Sequence, residues 1–118
     1  MRHVSICPEL SESLKATFDK LDIQVIVTTL MTIAKHGECK CGDLEFADVD
    51  VGFKCREVAI PMGTKGIGLL IVYTLEISET ELIVLLVKSG AIGNLSIKER
   101  NTIREVYKFE MSRLGLTP

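Results

Sequence analysis

The chain has little histidine, no excess of basic residues and no long apolar run. His3 and His36 are its only histidines, and no Ser/His/Asp or Cys/His arrangement for nucleophilic catalysis stands out around them. Fourteen Lys and Arg face sixteen Asp and Glu, giving a net charge of −2 and a pI of about 5.7. A dedicated nucleic-acid binder draws its affinity from neutralising phosphates and is normally basic, so the global charge argues against that class. No apolar stretch approaches the ~20 residues of a membrane helix. The opening Met1-Arg2-His3-Val4-Ser5-Ile6-Cys7-Pro8 lacks the apolar core of a secretory signal. A cytoplasmic location with no membrane partner is the expectation. Internal repeats and low-complexity segments are absent.

What is present is globular composition. Of 118 residues, 47% are apolar and 25% charged. Residues 1–118 are expected to form one domain, large enough to bury roughly two-thirds of its unfolded surface without covalent staples. Cys7, Cys39, Cys41 and Cys55 read as free thiols in a reducing compartment, with no disulfide. His36-x-x-Cys39-x-Cys41, with Cys55 as a fourth donor, is the sharpest metal-like cluster. Structural zinc sites favour two to four residues between cysteines, and a one-residue gap is tight, so neither metal nor cofactor is expected.

The pattern predicts an α+β fold: an N-terminal strand, two helices, a three-stranded antiparallel meander and a C-terminal helix. Val4 to Cys7 reads as a strand closed by Pro8. A helix starts near Ser11, and Asp22 serves as N-cap of a second one ending at Lys35-His36-Gly37. Leu14, Phe18, Leu21 and Val25 recur at helical spacing, as do Ile26, Leu30, Ile33 and Ala34. Gly37 to Gly52 reads as an acidic connector. Strands follow at residues 53–60, 67–77 and 81–88. Between the first two, Met62-Gly63-Thr64-Lys65-Gly66 is a hairpin loop. Its glycines lead into a strand, whereas phosphate-binding loops open a helix. Ser96-Ile97-Lys98-Glu99 is a capping box for the last helix, with Ile103, Val106, Tyr107, Met111 and Leu114 on one face.

Cations recur through the strand region. Lys54 and Arg56 lie two apart and share a strand face. If Lys88 lies on that face too, three cations converge beside the Lys65 loop, where they could grip phosphate. The plain alternative is a set of solvent-facing charges on a half-exposed sheet. As the last residue of an apolar run, Lys88 is expected to be exposed and to support little packing.

Gly52-Phe53-Lys54-Cys55-Arg56, the Gly63-Thr64-Lys65-Gly66-Ile67-Gly68 loop, Lys88 after its apolar strand, and Asn94-Leu95-Ser96-Ile97-Lys98-Glu99 together resemble the RelE/HigB-type toxins of the RelE/ParE superfamily. The resemblance covers residues 51 to 107. It implies a bacterial type II toxin–antitoxin pair and a metal-independent mRNA interferase. Such a ribosome-dependent endoribonuclease has two partners, mRNA on the ribosome and a cognate antitoxin protein. By resemblance, Lys54 and Arg56 are RNA-binding, Lys65 and Lys88 stabilise the scissile phosphate, and Tyr73 stacks on a base or moves a proton. The arginine expected three residues before that tyrosine is Leu70 here. A transition-state arginine is commonly worth orders of magnitude in rate. A non-catalytic protein-binding module on the same fold, engaging a partner protein or forming a homodimer, is therefore the alternative. A small metal-binding protein built on His36, Cys39 and Cys41 is the third.

Overall fold

The computed structural model describes residues 2–61 and 66–115. In chain order they form β1 (His3–Ser5), α1 (Pro8–Thr17), α2 (Lys20–His36), a 3₁₀ turn (Glu38–Cys41), β2 (Glu45–Asp50), β3 (Lys54–Ile60), β4 (Leu69–Thr74), β5 (Glu81–Ser89) and α3 (Ile97–Arg113). The five strands make one mixed sheet in the order β1-β5-β4-β3-β2. β1 runs parallel to β5, from His3 opposite Glu81 to Ser5 opposite Ile83. The other neighbours are antiparallel. Between Val72 and Tyr73 the register against β5 shifts, and Leu85 is left without a direct partner.

Central β4 is buried at every position, which is why it reads as an unbroken apolar run and not as an alternation. Its side chains still divide between two faces. Leu69, Ile71 and Tyr73 pack with Leu14 of α1 and with Ile26, Leu30 and Ile33 of α2. Val72 packs with Ile103 of α3, beside Val49, Cys55, Ile83 and Leu85. Helices therefore cover the sheet on both sides. Each fully buried Ile or Leu of this kind contributes about 1.5–3 kcal/mol. At the far end of the sheet, Gly90 N–H donates to the carbonyl of Gly68 at 2.8 Å. A Cβ on Gly68 would meet the Gly90 carbonyl oxygen at 2.9 Å, so the two chain segments approach as closely as only glycine allows.

The α+β class stands, with differences in detail. The meander has four strands instead of three, because the expected connector contains both the 3₁₀ turn and β2. Pro8 does not merely close β1; it opens α1, where its missing N–H costs nothing, and Cys7 takes the cap position. The second helix is capped by Asp19, whose Oδ1 accepts from Asp22 N–H at 2.9 Å, so Asp22 lies inside the first turn. Leu21 and Val25 do not continue the Leu14–Phe18 stripe. They are 62% and 43% exposed, because the break at Phe18 and Asp19 resets the helical phase. The second stripe is as expected, with Ile26, Leu30, Ile33 and Ala34 buried. So is the capping box, in which Ser96 and Glu99 exchange both bonds.

Candidate functional site

β3 begins with Lys54 and carries Arg56 two residues on, both pointing to the α2 side of the sheet. Arg56 does not stand free. Its Nε and Nη2 donate to the two oxygens of Glu38, at 3.0 and 2.6 Å, in a two-pronged pair. Its Nη1 donates to Asp48 Oδ1 at 3.0 Å. Asp48 faces Arg56 across the β2–β3 ladder, and Tyr73 faces it across β3–β4. The Tyr73 hydroxyl donates to Glu38 Oε2. Glu38 thus accepts from a guanidinium and a phenol at once. The Arg56 hydrogen bonds hold its carboxyl below the usual range, and the Glu38 carboxylate raises Arg56 further in turn. Tyr73 has no exposed surface, and burial, then its bond to Glu38, pushes its hydroxyl well above the ordinary tyrosine value. In this arrangement the ring has no face open to a nucleobase.

Lys88 lies on the other side of the sheet. It pairs with Leu70, an even number of residues from Val72 and an odd number from Tyr73, so it points toward α3. Its Nζ donates to Glu99 Oε1 and to the Asn94 carbonyl, each at 2.9 Å. Its side chain is 21% exposed, not the open strand-end cation expected. The same Glu99 oxygen accepts Ser96 N–H at 2.8 Å. That backbone bond, chiefly, and Lys88 hold the Glu99 carboxyl low. Leu70 is fully buried beside Lys88. The convergence of Lys54, Arg56 and Lys88 on one face does not occur: the sheet separates Lys88 from the other two. Lys65 lies outside the described residues.

Lys54 is exposed and has no ion-pair partner among the described residues. With Asp48, Asp50, Arg56 and Glu76 it borders a cleft of about 540 Å³ at the turn end of the β2–β3 hairpin. The cysteines do not gather. Cys41 packs on the α2 side and Cys55 on the α3 side. Burial pushes the Cys55 thiol up to about 12 and raises that of Cys41. Among the described residues, no group of three or more His, Cys, Asp or Glu side chains is placed to hold a metal.

Three acidic residues matter here that the sequence reading passed over. Glu38 and Asp48 neutralise Arg56. Glu57, buried on β3, accepts Gly93 N–H at 2.6 Å and ties down the loop before α3. Asp48 becomes visible once Phe46 and Val49 are read as opposite faces of a strand. Glu38 and Glu57 carry no local signal, because their partners are 18 and 36 residues away. No helix among the described residues is long and apolar enough to cross a membrane. Comparison with protein-family models, with curated proteins and with solved structures finds no match to this chain.

Proposed function

We propose that this chain is a non-catalytic protein-binding module. The observation that carries this reading is the internal pairing of the cations that a phosphate site would need. One guanidinium, Arg56, faces two carboxylates, Glu38 and Asp48, which leaves a local excess of negative charge. Lys88 is balanced by Glu99. Each charge-assisted bond is worth about 1.5–3 kcal/mol, so turning Arg56 or Lys88 toward RNA would sacrifice as much as a phosphate contact returns. Leu70, buried in the sheet, supplies no transition-state charge. What the surface offers instead is backbone: β2 is a six-residue edge strand with no strand beyond it among the described residues.

The second reading is the ribosome-dependent mRNA endonuclease of a toxin–antitoxin pair. In its favour stands Lys54, exposed beside the cleft. Induced expression in bacteria separates the two. The binding module leaves growth and ribosome-bound messages intact. Growth arrest with message cleavage, abolished by Lys54→Ala, would replace it with the toxin.

A further inference from the structure

The two edges of the sheet are not alike. β1 is three residues long. β2 is twice that and holds unbroken register with β3 through six pairs, from Glu45 opposite Ala59 to Asp50 opposite Lys54. Alternate residues of an antiparallel edge aim both N–H and C=O away from their neighbour. Native sheets usually blunt such an edge with a proline, a bulge, extreme shortness or charged side chains. Of these β2 has only the charges, and all of them are carboxylates, which repel an acidic strand and admit a basic one. It is a regular ladder about 20 Å long, at 3.3 Å per residue, with no strand beyond it among the described residues; at its last residue the Asp50 carbonyl accepts from Arg100 Nη1 at 2.8 Å.

Charge says what fits there. Between Gly42 and Phe53 the chain holds Asp43, Glu45, Asp48 and Asp50 and no basic residue. Glu45, Asp48 and Asp50 are exposed. Asp48 and Asp50 project on the α2 side, while Ala47 and Val49 face the α3 side. A second copy of this chain pairing edge to edge would set these carboxylates against their own kind, and like charges directly opposite destabilise a ladder. A segment with cations on one face and small apolar residues on the other matches both rows.

We infer that β2 is a docking edge for a basic, extended segment of another protein, which adds to the sheet as a sixth strand. The main chain of β2 supplies the hydrogen bonds. Asp48 and Asp50 select for lysine or arginine at alternate positions, and Asp50 carries more of that selection because Asp48 is already engaged by Arg56. This rests on the binding-module reading above and names its partner chemistry.

The test uses isotope-labelled full chain and a short synthetic peptide of alternating lysine and valine, long enough to span β2. The expected result is saturable amide shifts and slowed amide exchange centred on residues 45–50. Asp50→Lys should weaken binding by up to about fivefold, the size of one exposed ion pair, with the spectrum elsewhere unchanged. The same peptide methylated at its central amide nitrogens keeps every charge and should not bind. The edge is overturned if the peptide causes no shift, if the shifts fall on α2 or α3, or if methylated or glutamate-for-lysine peptides bind equally well. It is also overturned if sedimentation shows the chain pairing with itself through β2. Any of these leaves the binding-module reading standing. That reading falls separately, by growth arrest and message cleavage.

Discussion

A tyrosine carried into the middle of a sheet needs an acceptor for its hydroxyl, and Glu38 supplies one while also taking both prongs of Arg56. Tyr73→Phe should therefore cost about 1 kcal/mol in urea denaturation, the net worth of one buried hydrogen bond. The carboxyl of Glu38 sits lower in the folded state than its ordinary value of 4.5. A depressed acid stabilises the fold above that value, and its contribution disappears as pH falls through the lower, folded one. In a melting-temperature series run downward from neutral pH, Glu38→Gln should decline less steeply than wild type below about 4.5. Parallel acid slopes for the two proteins would show that Glu38 carries no such linkage. At this scale the sequence was only partly legible. Lys54 and Arg56 share a face by spacing alone. The acids that neutralise Arg56 come from a 3₁₀ turn and a strand inside the acidic stretch between Gly37 and Gly52, where no local pattern ties them to Arg56.

At the scale of elements, Glu99 joins two of them. It completes the cap of α3 by accepting Ser96 N–H, and it holds Lys88 at the end of β5. Ser96→Ala should cost about 1 kcal/mol, the usual worth of an N-cap. Glu99→Ala should cost more, because it also leaves the partly buried Lys88 ammonium with only the Asn94 carbonyl. Lys88→Ala should be destabilising as well, by about 1–2 kcal/mol. The double variant should cost less than the two single losses added, since they remove the same bond. Strictly additive losses in denaturation would mean that Lys88 and Glu99 do not cooperate. The capping box was readable from four letters because its signal is local. β2 was not, because Leu44 and Phe46 fall on one face and Val49 on the other, and three acids mask a strand with only one well-buried side chain. The two helices were readable in kind but not in phase. Leu14, Phe18, Leu21 and Val25 look like one stripe until the backbone turns extended at Phe18 and Asp19.

For the molecule as a whole, the decisive unknown in the sequence was register. The face that Lys88 takes relative to Arg56 is set by how β3, β4 and β5 align, and loop lengths fix that alignment only after folding. The three-layer arrangement also sorts the thiols. Cys7, Cys41 and Cys55 are buried and Cys39 is exposed. A thiol reagent at neutral pH should modify Cys39 rapidly and the other three only after denaturant is added. Rapid modification of Cys55, whose thiol is pushed up to about 12, would mean that the α3 face opens readily.

The parallel pairing of β1 with β5 sets an order of events during synthesis. Residues 3–5 leave the ribosome well before their partners at 81–83, which come nearly eighty residues later. Before residues 69–74 have emerged, the apolar row Ile26, Leu30 and Ile33 of α2 has no β4 to lie on. Contacts of such long sequence separation form late and slowly. The nascent chain consequently carries an uncovered helical face through most of its translation. Apolar surface exposed in this way favours aggregation, so the risk arises while the chain is being made and not afterwards.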